Sequence, residues 1–224
     1  GAYQMPKTDL IALNGNAAID EYISAGFPEE LIVETEALRF EYLYKIKLKN
    51  SIQDEKESTI RILILGDYME SATVEMLQLL EKATQYISVN TIFTIKSHPN
   101  FVVKKEDFPL LRLEVTMDPL EEILHKYDVS FSSNITSAAV DAFFFGLPSI
   151  VILDSMGLNL SPLRGESNVN FVSTPEKLAE LIQSVNNGIY NTSLSNDFFF
   201  LNPSLPRWQK LLYKYKKFVI INKD

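Results

Sequence analysis

The stretch "DVSFSSNITSAAVDAFFFGLPSIVIL", residues 128–153, decides the fold. A strand-like stretch at 128–132 gives way to small and hydroxylated residues, a helical stretch over about 135–145, and an apolar run at 149–153. A strand, a helix and another strand in so short a span form the βαβ unit of a parallel sheet. Three phenylalanines at 143–145 make the helix apolar nearly all round, as a layer buried against a sheet requires. Gly146 stands where the helix needs a left-handed residue to end.

Working outward, the same alternation continues on both sides. Strands are expected at 60–65 (IRILIL), 90–96 (NTIFTIK) and 111–115 (LRLEV), with helices over 71–86, 119–126 and 174–186. Thr174 followed by Pro175 reads as an N-cap with proline at the first helical position. Continuous apolar strands alternating with amphipathic helices predict a doubly wound α/β fold, a parallel sheet covered on both faces. Upstream, "KNSIQDEKEST" (49–59) is polar and without apolar periodicity, and reads as a linker. Before it lie a strand at 10–14, a helix at 17–26 closed by Gly26 and a strand at 31–35. Residues 1–48 are therefore a small α/β segment, 60–203 a Rossmann-like domain, and 204–224 a basic helix.

The chain has 224 residues, 46% hydrophobic and 22% charged, enough to bury a core without metal or disulfide staples. With no cysteine, thiolate chemistry and cysteine-based zinc sites are excluded. A net charge of −8 repels a phosphate backbone and argues against a dedicated nucleic-acid binder. No signal-peptide pattern or membrane-spanning run is present, so a cytoplasmic setting is expected. Gly1 in the place of an initiating Met suggests further sequence upstream.

Ligands of open parallel sheets bind beyond the carboxyl ends of the strands. There the sequence places Gly66 and Asp67 after one strand, and Ser97, His98 and Pro99 after the next. Ser133, Asn134, Thr136 and Ser137 follow the third, Asp154 and Ser155 the fourth. The hydroxyl pairs Ser132/Ser133 and Thr136/Ser137 surround a helix start, which suits a phosphate or, equally, ordinary N-capping by Ser133 or Asn134. His98 is one of two histidines, and its imidazole can donate to a phosphate oxygen; Lys96 can add charge. His125 suits the C-terminus of its own helix. Asp141 either faces solvent or reaches a ligand's hydroxyls. No Asp-x-Asp pair or metal-spaced cluster appears, so no metal is expected, and no P-loop, G-x-S-x-G or G-x-G-x-x-G occurs.

"IKSHP" (95–99) followed by "YDVSFSSNITSAAVDAFFFGLPSIVI" (127–152) resembles the C-terminal, donor-binding half of GT-B glycosyltransferases. The likeness is closest to bacterial surface-polysaccharide enzymes with an HP and a later Ser/Thr motif: sialyltransferase-like, Kdo-transferase-like and CDP-glycerol glycerophosphotransferase-like proteins. The opening segment 9–40 and the tail "FFFLNPSLPRWQKLL" (198–212) resemble flanking parts of such enzymes. The resemblance implies a metal-independent enzyme of surface polysaccharide synthesis, with a nucleotide sugar as donor, a saccharide or lipid-linked acceptor and no cofactor. It implies that His98, Ser133, Thr136 and Ser137 contact donor phosphate. Asp141 would stand where many such enzymes bind ribose with Glu, one methylene longer. It also implies that most of the acceptor domain, which usually supplies the base, is not in this chain. CDP-polyol phosphotransfer, UDP-N-acetylglucosamine 2-epimerisation and non-catalytic binding are the alternatives. The stretch "RWQKLLYKYKK" (207–217) has five basic residues and no acid, so it either meets an anionic membrane surface at the inner face or packs back with its lysines in water.

Overall fold

The computed structural model describes residues 8–47, 59–153, 158–186 and 198–221. The chain divides into two compact units, Gly1–Leu48 with Ser195–Asp224, and Lys49–Leu194. The polar stretch 49–58, and Asp154 and Ser155 after the fourth strand, lie outside the described residues.

In the first unit β1 (Ile11–Leu13) and β2 (Ile32–Glu34) pair in parallel, Ile11 opposite Ile32. The helix α1 (Asn16–Ser24) connects them and ends just before Gly26; α2 (Glu41–Lys47) follows. These are the elements expected at 10–14, 17–26 and 31–35, the strands trimmed at both ends and the helix shifted to begin one residue earlier and end two earlier.

The second unit is built on β3 (Ile60–Leu65), the helix α3 (Glu70–Thr84), β4 (Thr91–Lys96), β5 (Leu113–Thr116) and the single turn α4 (Leu120–Ile123). It continues through β6 (Val129–Ser132), α5 (Ala138–Phe145), β7 (Ser149–Ile152), β8 (Val169–Val172) and α6 (Pro175–Asn186). All six strands are parallel, in the order β5-β4-β3-β6-β7-β8. Counted within the unit this is the order 3-2-1-4-5-6, a doubly wound Rossmann-like sheet whose direction of winding reverses between β3 and β6.

Alternation along β3 assigns the two faces. Ile60, Ile62 and Ile64 join a core with Met76, Leu77 and Leu80 of α3 and with Leu178, Ala179 and Ile182 of α6. Leu63 and Leu65, equally buried, fall on the opposite face by the two-residue period of a strand. The helix α5 packs on β6 and β7, burying Phe143 and Phe144. Full burial of each such side chain contributes about 1.5–3 kcal/mol. At the end of α5, Gly146 takes φ 104°, and the Leu147 amide donates to the Ala142 carbonyl at 3.1 Å, closing a Schellman-type cap. The Thr174 hydroxyl accepts from the Lys177 amide at 3.3 Å, the N-cap expected for α6.

Three elements depart from the sequence reading. β8 was not anticipated, because "VNFV" is short and broken by Asn170. The helix expected over 119–126 is one α-turn followed by a 3-10 turn at Leu124–Lys126, which carries exposed His125. The helix expected from 135 starts at Ala138, since the preceding hydroxylated residues form a turn.

The C-terminal helix α7 (Pro206–Ile221) belongs to the first unit. So do residues 195–203, which the sequence reading placed in the larger domain. The Phe200 amide donates to the Asn14 carbonyl and the Phe200 carbonyl accepts from the Ala37 amide, both at 2.9 Å. At the helix start the Glu36 carboxylate accepts the Arg207 and Trp208 amides at 2.9 and 3.0 Å, and the Trp208 indole donates to the Glu36 carbonyl at 2.9 Å. Two amides at a helix N-terminus hold an anion well. Burial raises the Glu36 pKa, but these amides and the Arg207 charge outweigh it and hold the carboxyl below its ordinary value.

Candidate functional site

The carboxyl ends of β3 and β6 are adjacent, Leu65 opposite Ser132, and β4 ends on the other side of β3 with Lys96 opposite Leu65. This brings Gly66, Asp67, Lys96, His98 and Ser133 to one edge of the sheet at its switch point, where an open α/β sheet has its ligand crevice.

Gly66 is required by close approach. Its amide donates to the Lys96 carbonyl at 3.0 Å, and a Cβ there would lie 3.0 Å from that oxygen and 3.3 Å from the His98 nitrogen. The absence of a side chain lets the segment leaving β4 lie against the end of β3. Asp67 is 1% exposed and fully engaged. Its Oδ1 accepts the Met69 amide at 3.0 Å, its own amide donates to the Thr73 hydroxyl at 2.9 Å, and its Oδ2 accepts the Ser133 hydroxyl. Asp67 thus ties β3, α3 and β6 together, and Thr73 is a member of the site that the sequence reading missed.

His98 is half-buried on a tight hairpin that pairs it with Phe101. The Asn100 amide donates to its Nδ1 at 3.2 Å, so the neutral ring carries its proton on Nε2. Among the described residues Nε2 has no partner, which leaves a directed N–H donor. The exposed Tyr68 ring stands edge-on to the imidazole, centroids 6.5 Å apart. Ser97 faces inward, its hydroxyl accepting the Val103 amide at 3.2 Å. The Lys96 ammonium donates to the Met117 carbonyl at 3.1 Å, beyond the end of β5.

The α5 terminus separates the two readings of its hydroxyl residues. Its N-cap is Ser137, in helical conformation and making no side-chain capping bond. Ser133 is turned to Asp67, and the Asn134 side chain donates to the Leu158 carbonyl at 3.3 Å. Neither caps the helix, so ordinary N-capping does not account for them. Thr136 and Ser137 flank the helix start, with Ser137 exposed and Thr136 half-buried. Asp141 is buried, not solvent-facing, and is partnered within the protein.

A cavity of about 370 Å³ lies elsewhere in this unit, between α3 and residues 101–108, and is lined by Glu70, Val74, Gln78, Phe101, Lys104 and Asp107 among others. None of the candidate residues lines it. Among the described residues no group of three His, Asp or Glu side chains is placed to hold a metal ion.

No family model and no curated protein sequence matches the chain. Solved structures do. The chain is similar to UDP-GlcNAc 2-epimerase of Methanocaldococcus jannaschii, in complex with UDP-GlcNAc and UDP, at 14% identity and a TM-score of 0.63, over 92% of this chain and 61% of that one. It is similar to MnaA of S. aureus with UDP, at 14% identity and a TM-score of 0.59, over 96% and 61%. It is similar to the wall teichoic acid polymerase TagF soaked with CDPG, at 12% identity and a TM-score of 0.52, over 95% and 57%. The chain therefore spans about three-fifths of the length of these structures. The likeness shows the fold: a parallel, Rossmann-like α/β sheet that matches these GT-B-type structures.

Proposed function

We propose that this chain is the donor-binding half of a nucleotide-sugar-dependent, metal-independent glycosyltransferase of surface polysaccharide synthesis. The observation that carries the reading is the placement, on the one sheet edge around the switch point, of the His98 Nε2 donor beyond β4 and of a helix terminus without a side-chain N-cap bond beyond β6. Fold neighbours solved with UDP-GlcNAc, UDP or CDPG support a nucleotide-linked ligand.

On this reading the amides of residues 136–138 and the Thr136 hydroxyl receive the donor's phosphates, and the Ser137 hydroxyl joins them by exchanging its present partner; the Ala139 and Val140 amides are bonded to the Thr136 and Ser137 carbonyls. His98 Nε2–H donates to a phosphate oxygen. An acceptor hydroxyl oxygen bonds to the anomeric carbon, the carbon–oxygen bond to phosphate breaks, and its electron pair leaves on the nucleotide. His98 and the helix terminus stabilise the charge that grows there. The acceptor's proton passes to a base on an acceptor-binding half, which this reading places outside the present chain. Gly66 and the Asp67–Ser133 hydrogen bond hold the edge in shape rather than touch the donor, and Asp141 contacts the ribose only if its partner yields.

The likeness to UDP-GlcNAc 2-epimerases favours one rival, inversion at the sugar's second carbon with the same phosphate contacts. The test is thermal unfolding with CMP, CDP, UDP, GDP and ADP, for wild type and His98→Ala. A nucleotide at about a hundred times its Kd should add roughly 2.7 kcal/mol to the wild type, and His98→Ala should lose most of it. No response to any nucleotide, in this chain or joined to an acceptor-binding half, would overturn the reading. An epimerised sugar with no acceptor glycosylated would favour the rival.

A further inference from the structure

We propose that the exposed face of α7 docks on an anionic lipid bilayer. The proposal is independent of the donor site. Residues 207–217 carry five basic residues and no acid, in a chain of net charge −8. Arg207 is held inside the unit: its Nε donates to Glu34 at 2.9 Å, and its guanidinium lies 4.2 Å over the Phe200 ring. The lysines at 210, 214 and 216 differ from it. Lys210, Lys214 and Lys216 are exposed, and among the described residues no carboxylate pairs with them.

Helical spacing sets Lys210 beside Lys214 and Leu212 beside Lys216, with Tyr213 between the two rows. Leu212 and Tyr213 are 62% and 65% exposed, the most open large apolar side chains among the described residues of this unit. Trp208 and Leu211 are half-buried and mark the packed side of the helix, with Leu212 at its margin one turn beyond Trp208. The first turn is pinned by Glu36, so the lysine-bearing turns are presented on a fixed base.

The charge pattern selects the occupant. Lysines on long stems suit a diffuse anionic surface, whereas bidentate recognition of a discrete anion calls for arginine. A tyrosine and a leucine among them match the headgroup boundary, where an aromatic ring and a short aliphatic chain are both accommodated. No helix among the described residues is long and apolar enough to cross a membrane, so the contact is peripheral. Each lysine at an anionic surface strengthens binding about fivefold, which makes the three together worth about a hundredfold.

The experiment is co-sedimentation of the whole chain with phosphatidylcholine vesicles and with vesicles containing one-third phosphatidylglycerol, at low and high salt. The expected result is binding to the anionic vesicles alone, reversed by salt, and weakened about a hundredfold in the triple variant Lys210→Gln, Lys214→Gln, Lys216→Gln. Leu212→Ser with Tyr213→Ser should weaken it further without changing the salt dependence. Unchanged Trp208 fluorescence and unfolding temperature establish that the variants are folded. Absence of binding to anionic vesicles, equal binding to both kinds, or wild-type binding by the triple variant would overturn the proposal and leave the face to a protein partner.

Discussion

The Ser133 hydroxyl donates to the Asp67 carboxylate and joins the carboxyl ends of β6 and β3 at the point where the sheet reverses its winding. Two residues 66 positions apart thereby fix the separation of the strands that frame the crevice. Removing the hydroxyl leaves a buried carboxylate oxygen without its partner. Ser133→Ala should destabilise the larger unit by about 1–3 kcal/mol. Urea unfolding followed by circular dichroism measures it, and a change near zero would mean that the bond carries no load.

Gly66→Ala introduces a Cβ against the Lys96 carbonyl and the His98 amide. The hairpin that carries His98 must give by a few tenths of an ångström. The variant should lose roughly 1 kcal/mol of stability, within the range for overpacking, and bind nucleotide more weakly. Calorimetric titration beside a denaturation curve separates the two effects.

Glu36 gives the smaller unit a definite pH response. Its carboxyl titrates below the ordinary 4.5 when folded, despite burial, because the α7 amides and Arg207 favour the charged form. A folded pKa lower than the unfolded one means stability that is complete above the unfolded value and lost as pH falls through the folded one. Trp208 is the sole tryptophan and its indole is bonded to Glu36, so its fluorescence reports the joint directly. An acid titration should show Trp208 changing below pH 4.5, and Glu36→Gln should abolish that step while costing about 1–2 kcal/mol at neutral pH.

Glu166 responds in the opposite sense. Burial raises its carboxyl above the ordinary value, so its contribution worsens as pH rises between the unfolded and folded values. Glu166→Gln should stabilise the chain slightly at neutral pH and make no difference in strong acid. Equal unfolding midpoints for the two proteins at both pH values would contradict this.

Much of the sheet was legible because the inner strands are rich in β-branched and aromatic residues, with IRILIL the nearest to a continuous apolar run. IRILIL, TIFTIK, VSFS and SIVI could be found from composition alone, and the doubly wound class followed from their alternation with helices. The edge strand VNFV is only four residues long and carries Asn170 within it, and it was not found. The site was legible as a set of positions but not as a set of partners. Nothing local in "SSNITS" reveals that Ser133 turns across the sheet to Asp67 and Asn134 to Leu158, leaving α5 without a side-chain cap. Thr73 carries no signal of its own within the helix expected over 71–86, and only the fold brings it to the Asp67 amide. His98 stood out by rarity, but the hydrogen on Nε2 follows from the Asn100 amide, a feature of the hairpin.

The central claim is that the edge formed by His98 and the start of α5 receives a nucleotide's phosphates. The most direct measurement is a map of backbone amide shifts by nuclear magnetic resonance as the chain is titrated with whichever nucleotide stabilises it. The account predicts the largest changes at His98 and at residues 136–139, and their loss at the same nucleotide concentration in His98→Ala. Changes centred on the cavity beside α3, at Val74, Gln78 and Phe101, would place the ligand elsewhere and contradict it.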